Sequence, residues 1–194
     1  MGLMDVLRGR TRQVAPNLDA IFALPTAAIT LETACSLVPT GKGGICFKAG
    51  SGAAESEART EIDALLADES DPGTIRRVDD DLGFTWLVIE DPDLSSLVTR
   101  LHGANDTLQE HGLGAHLLCA VVGLTDAPGS SGSAPLYLVY LFKQGTFYPF
   151  APRDGERRDN ALELRLKAQL EGDLPIEPDL QRWLALWGLP VAST

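Results

Sequence analysis

Apolar positions recur along the chain with a period that changes from one segment to the next. In NLDAIFALP, Leu18, Ile21, Phe22 and Leu24 stand at near-helical spacing. Asn17 is a candidate N-cap, and Pro25 is expected to stop the helix. AAITLETA then reads as a strand, TGKGG as a turn and ICFKA as a second strand. SGAAESEARTEIDALLADE places Ala58, Ile62, Leu65 and Leu66 on one helical face and acids on the other, and SDPG ends it. TIRRV and FTWLVIE are strands around the turn DDDLG, the second apolar on both faces and so at least partly buried on both.

DPDLSSLVTRLHGANDTLQEHGLG is the clearest helix. Asp91 is its expected N-cap, Pro92 suits its first turn, and Leu94, Leu97, Val98, Leu101 and Leu108 form the buried stripe. HLLCAVVGL is a buried strand and TDAPGSSGSAP a loop. LYLVYLF pairs back, KQG turns, and TFYPF returns as a short edge strand, because Pro149 lacks a ladder donor. NALELRLKAQL alternates like a strand, yet its composition and Asp159 as N-cap favour a helix. EPDLQRWLALWG, bracketed by Pro178 and Gly188, is expected to form a last helix on the apolar face of Leu180, Trp183, Leu184 and Trp187. Hairpins separated by helices predict an α+β fold, with a mostly antiparallel sheet and helices on one face. In element order this is loosely similar to the type III secretion chaperones, an analogy at the level of fold.

Length and charge narrow the picture. The 194 residues suit one domain, placed at residues 15–190, behind a basic segment of residues 1–14. That segment reads as a packed or loose terminus, or as a short helix touching a membrane or partner. The formal net charge of −11 makes nucleic acid a poor partner and limits lipid contact to the basic N-terminus. No run approaches the ~20 apolar residues of a membrane span. MGLMDVLRGRTR is too short and polar for a signal peptide. Three cysteines, Cys35, Cys46 and Cys119, do not suggest a disulfide framework, so a reducing, cytoplasmic compartment is expected.

Candidate chemistry is sparse. His102, His111 and His116 lack ligand spacing, so no metal and no cofactor are expected. No nucleophile elbow or phosphate loop is present, and the acids at Asp79 to Asp81 and Glu90 to Asp93 flank turns. What stands out is GTFYPFAPRDGERRDN. Of the chain's twelve aromatics, half fall between Tyr137 and Phe150, directly ahead of an arginine cluster. Phe147, Tyr148, Phe150, Arg153, Arg157, Arg158 and Asp159 have the composition of a protein-binding hot spot. They have equally the composition of a core strand followed by an ion-paired helix entry, and from the residues alone both readings stand.

The chain resembles the PspA-associated PspAB family of actinobacteria and archaea. The resemblance lies in PNLDAIFALPTAAITLET, GFTWLVIEDPDLSSLVTRLHGAN, LVYLFKQGTFYPFAPRDGERRDNALEL and LPIEPDLQRWLALWG. It implies a non-enzymatic accessory or adaptor of the phage-shock, envelope-stress system. Its partner would be PspA or a membrane zinc protease of the HtpX type, met in the cytoplasm at the inner face of the membrane. The alternative is a domain, enzymatic or not, that binds a small anionic ligand in an aromatic and arginine-lined pocket.

Overall fold

A computed structural model of the chain describes residues 19–48, 60, 75–129 and 135–192. The basic segment, the middle of the serine-rich loop and, apart from helical Thr60, the acidic helix and its SDPG ending lie outside those residues. Six strands form one antiparallel sheet in the order β2-β3-β1-β4-β5-β6. They are β1 (Leu37–Phe47), β2 (Ile75–Asp79), β3 (Thr85–Glu90), β4 (Leu117–Asp126), β5 (Leu136–Leu141) and β6 (Thr146–Phe150). Helices α1 (Leu24–Cys35), α2 (Leu94–Glu110) and α3 (Asn160–Leu170) pack on one face. The expected α+β fold is what the chain adopts.

Strand periodicity divides the core into two layers. Ile45, Phe47, Leu87, Ile89, Val122 and Tyr140 face the helices, where Leu31, Leu97, Leu101 and Leu166 complete the layer. Their strand neighbours Cys46, Trp86, Val88, Val121 and Val139 face the opposite side, together with Trp183, Leu189 and Val191. The second face is therefore covered by the C-terminal segment. Apolar runs on β3, β4 and β5 make sense because both sides of the sheet are dry.

Four expectations are corrected. Pro25 starts a helix rather than stopping one: a 3-10 turn (Asp19–Ala23) leads into α1 with the proline in its first turn, where its missing N–H costs nothing. AAITLETA is consequently helical. Leu24, Ala27 and Leu31 share its buried face, while Ile29, which suggested a strand, is exposed.

The segment TGKGG is not a turn but the middle of β1. Gly41, at φ +75, stands where the register to β4 shifts between Pro39 and Gly43, so it marks a bulge. Gly44 permits close approach: a Cβ there would meet Val191 Cγ2 at 3.0 Å and the Leu87 carbonyl at 3.1 Å.

The α2 N-cap is Asp93, whose carboxylate accepts from Ser96 N at 2.8 Å, two residues after the expected Asp91. Asp91 instead accepts from Asp93 N and pairs with Arg100 at 2.9 Å. The last correction concerns EPDLQRWLALWG, which forms only a 3-10 turn (Leu180–Arg182) before running irregularly across the sheet. Packing one helical face would bury Leu180 and Leu184, yet both are more than half exposed. Of the four residues expected on that face, only Trp183 is fully buried, and its indole N–H donates to the Glu177 carbonyl at 3.0 Å.

All three tyrosines are buried on the sheet, and burial pushes each phenol above its ordinary range, Tyr140 up to about 12. Neutral phenols are thus preferred in the native state. Their contribution is complete below the unfolded value of about 10 and is lost as pH rises through the folded values. Ultraviolet titration of the native protein should show no tyrosinate step at about pH 10, with all three ionising there in denaturant. A normal step in the native protein would place at least one ring in solvent.

Candidate partner-binding face

The aromatic strand β6 presents its residues alternately. Phe147 enters the helix-side layer against Tyr140, ring centroids 4.7 Å apart. Tyr148 and Phe150 enter the other layer. Tyr148 stacks on Trp183 at 5.8 Å and donates its hydroxyl to the Leu184 carbonyl at 3.0 Å. Phe150 meets Tyr137 on one side and the edge of Trp187 on the other. As expected of Pro149, β6 ends the six-stranded ladder, but this edge is covered. Phe147 N donates to Pro175 O and Glu177 N to Phe147 O, both at 2.8 Å. The three aromatics expected on a binding surface are therefore core side chains, each no more than 1% exposed.

The charged half of the stretch is arranged on top of that core. After Ala151 the chain makes a two-residue ladder, β7 (Pro152–Arg153) with β8 (Arg157–Arg158), and enters α3. Asp159 caps α3 by accepting from Leu162 N at 3.0 Å, and its other oxygen accepts from Arg153 at 2.9 Å. The backbone bond to Leu162, aided by Arg153, holds its carboxyl below the usual range. Arg158 packs its guanidinium over Phe150 at 5.1 Å. Its Nε donates to Glu163 Oε1 at 3.0 Å, and its Nη1 donates to the Trp183 carbonyl. Glu163, only 2% exposed, also accepts from Ala151 N at 2.8 Å. One carboxylate thus ties β6, β8 and α3 together. Arg157 is exposed, and its Nε donates to the Asp154 carbonyl at 3.0 Å.

Two adjoining clefts open beside this network. One, of about 290 Å³, is lined by Arg158, Asn160, Glu163, Leu164, Leu180 and Trp183. The other, of about 500 Å³, runs along Arg153, Asp154, Arg157, Arg158 and Asp159 to Asn160 and Ala161. Both are open to solvent. The structure therefore separates the expected site: its four charged residues stay together on the face, and its three aromatics support it from below.

Leu164, Leu180 and Trp183 enter the face unforeseen. A signal existed in the alternation of Leu162, Leu164, Leu166 and Leu170. Only Leu164 is out of phase with the buried side of α3, and it is 48% exposed.

Elsewhere, His102 lies between Asp19 at 3.3 Å and Asp106 at 3.0 Å, against the Phe22 ring. Among the described residues, no group of three metal-ligating side chains comes together. No helix of the described residues is long and apolar enough to cross a membrane. The family model for PspA associated protein B matches residues 1–191, nearly the whole chain. No curated protein and no solved structure matches it.

Proposed function

From the premise that this chain belongs to the PspA associated protein B family, we propose that it is a non-enzymatic adaptor of the PspA envelope-stress system, binding a protein partner in the cytoplasm. The partner is PspA itself or, as the resemblance implies, an HtpX-type membrane protease, and any lipid contact is peripheral through residues 1–14. The observation that carries this reading is the exposure of Leu164 and Leu180, which line one cleft together with Arg158. Exposed leucines beside arginines on an open face suit a protein partner. The arginines argue against a small-anion pocket, since Arg153 is engaged by Asp159 and Arg158 by Glu163. The chain's net charge of −11 would attract a basic stretch of the partner.

The test leaves the core intact. Tyr148 and Arg158 hold the fold, so the informative changes are Leu164→Asp with Leu180→Asp, and Arg157→Glu. Tagged full-length protein expressed in its native host should retain PspA or the protease. The double variant should lose at least about thirtyfold of that capture, as hot-spot losses of 2 kcal/mol or more do, with an unchanged melting temperature. Equal capture by wild type and folded variant would remove this face from the interaction.

A further inference from the structure

Cys46 and Cys119 are direct cross-strand partners on β1 and β4. Both side chains enter the layer beneath the C-terminal segment, at 4% and 5% exposure. Antiparallel partners stand with Cα atoms about 4.5–5.5 Å apart, within the span a disulfide bridges, and their Cβ atoms need to close by roughly 1 Å, beside a register shift that falls between Cys46 and Phe47. The third cysteine, Cys35, lies at the end of α1 on the other side of the sheet.

We propose that Cys46 and Cys119 form a guarded dithiol site that a hydroperoxide converts to a disulfide within the native fold. In the first step one thiolate attacks the peroxide, the O–O bond breaks, and a sulfenic acid and an alcohol form. The second thiol then displaces that oxygen as water. Two thiols lose two electrons and two protons, and the peroxide takes them up as alcohol and water.

The guard is the C-terminal segment. Leu189 and Val191 pack in the same layer, Val191 lies against Gly44, and Arg76 Nη2 holds the Pro190 carbonyl at 2.9 Å. With this cover in place the Cys46 thiol bonds to Cys119 and is buried, both of which push it up and away from the reactive thiolate. Reaction therefore proceeds through local opening of the cover. This inference does not rest on the adaptor reading.

The test uses the full chain carrying Cys35→Ser, treated with tert-butyl hydroperoxide, alkylated in denaturant and mapped without reduction. The expected product is one intramolecular Cys46–Cys119 link per chain, reversed by dithiothreitol, with unchanged far-ultraviolet circular dichroism. Arg76→Ala removes one hydrogen bond from the cover and should speed the reaction about fivefold. If both thiols remain alkylatable in conditions that fully oxidise an exposed thiol peptide, the proposal fails. It fails equally if the product is an over-oxidised single cysteine. A rate insensitive to Arg76→Ala would overturn the guard.

Discussion

Glu163→Ala should lower the unfolding free energy by about 3–5 kcal/mol, the loss seen when one member of a buried ion pair is removed. The carboxylate is nearly inaccessible, and one of its oxygens receives both the Ala151 amide and the Arg158 guanidinium. Without it, Arg158 keeps only the Trp183 carbonyl and the Phe150 ring, and its Nη2 has no hydrogen-bond partner even in the intact protein. A charge and a backbone N–H would be left largely buried without their acceptor, which costs more than a lost surface pair. Glu163→Gln retains an acceptor for Ala151 and should lose roughly half as much. Urea unfolding followed by circular dichroism measures both. For a chain of this size the alanine variant should melt about 6–20 °C lower. A shift of less than about 1 kcal/mol would mean that the Arg158–Glu163 pair does not hold β8 to α3.

Trp183→Ala should cost a similar amount, about 3–5 kcal/mol, for a different reason. The indole is the largest fully buried side chain that the C-terminal segment contributes to the second layer, and it is 6% exposed. It stacks on Tyr148 and donates to the Glu177 carbonyl. Glu177 is itself buried and accepts from Thr146 at 2.7 Å and from Asp179 N at 3.0 Å, so the indole closes a small polar knot at the sheet edge. Trp183→Phe keeps much of the apolar contact but strands that carbonyl, and should cost about 1–3 kcal/mol. Trp187, half-buried against the edge of Phe150, should be the more tolerant position. If Trp183→Ala and Trp187→Ala destabilise equally, the cover is not anchored at Trp183.

These two expectations also define what surface changes can report. Tyr148 and Phe150 sit under Trp183 and Trp187, so substituting either would loosen the cover as well as any interface. Leu164 and Arg157 are exposed, and a change there alters the face with the least effect on the fold.

Much of the architecture was legible along the chain. The stripe Leu97, Val98, Leu101 and Leu108 located α2, and the doubly apolar FTWLVIE announced a strand at least partly buried on both sides. Asp159 was readable as a cap because capping is settled within one turn. The misreadings share another cause. Glycines at 41, 43 and 44 carry the local mark of a turn, whereas their role depends on what approaches them. Leu101 and Leu97 come from α2, and Val191 from the far end of the chain. Pro25 is compatible with either end of a helix, and only the packing of Leu24, Ala27 and Leu31 selected the first turn.

The sequence by itself determined the α+β class and most element types, since these follow from composition, short-range periodicity and local turn chemistry, and it carried the family through the match along nearly its whole length. Only the tertiary structure decided which side of the aromatic strand is covered. Phe147, Tyr148 and Phe150 would read the same on a bare edge. Phe147 is buried under the helices, and Tyr148 and Phe150 are buried because a segment some thirty residues later crosses the sheet as an irregular strap instead of coiling into a helix. That path is set by a few contacts between distant residues, Trp183 on Tyr148 and Glu177 on Thr146 among them. The same strap leaves Leu180 outside and places it beside Leu164. Contacts of that range leave no period in the sequence, so neither the composition of the face nor the cover over Cys46 and Cys119 could be read before the chain was folded.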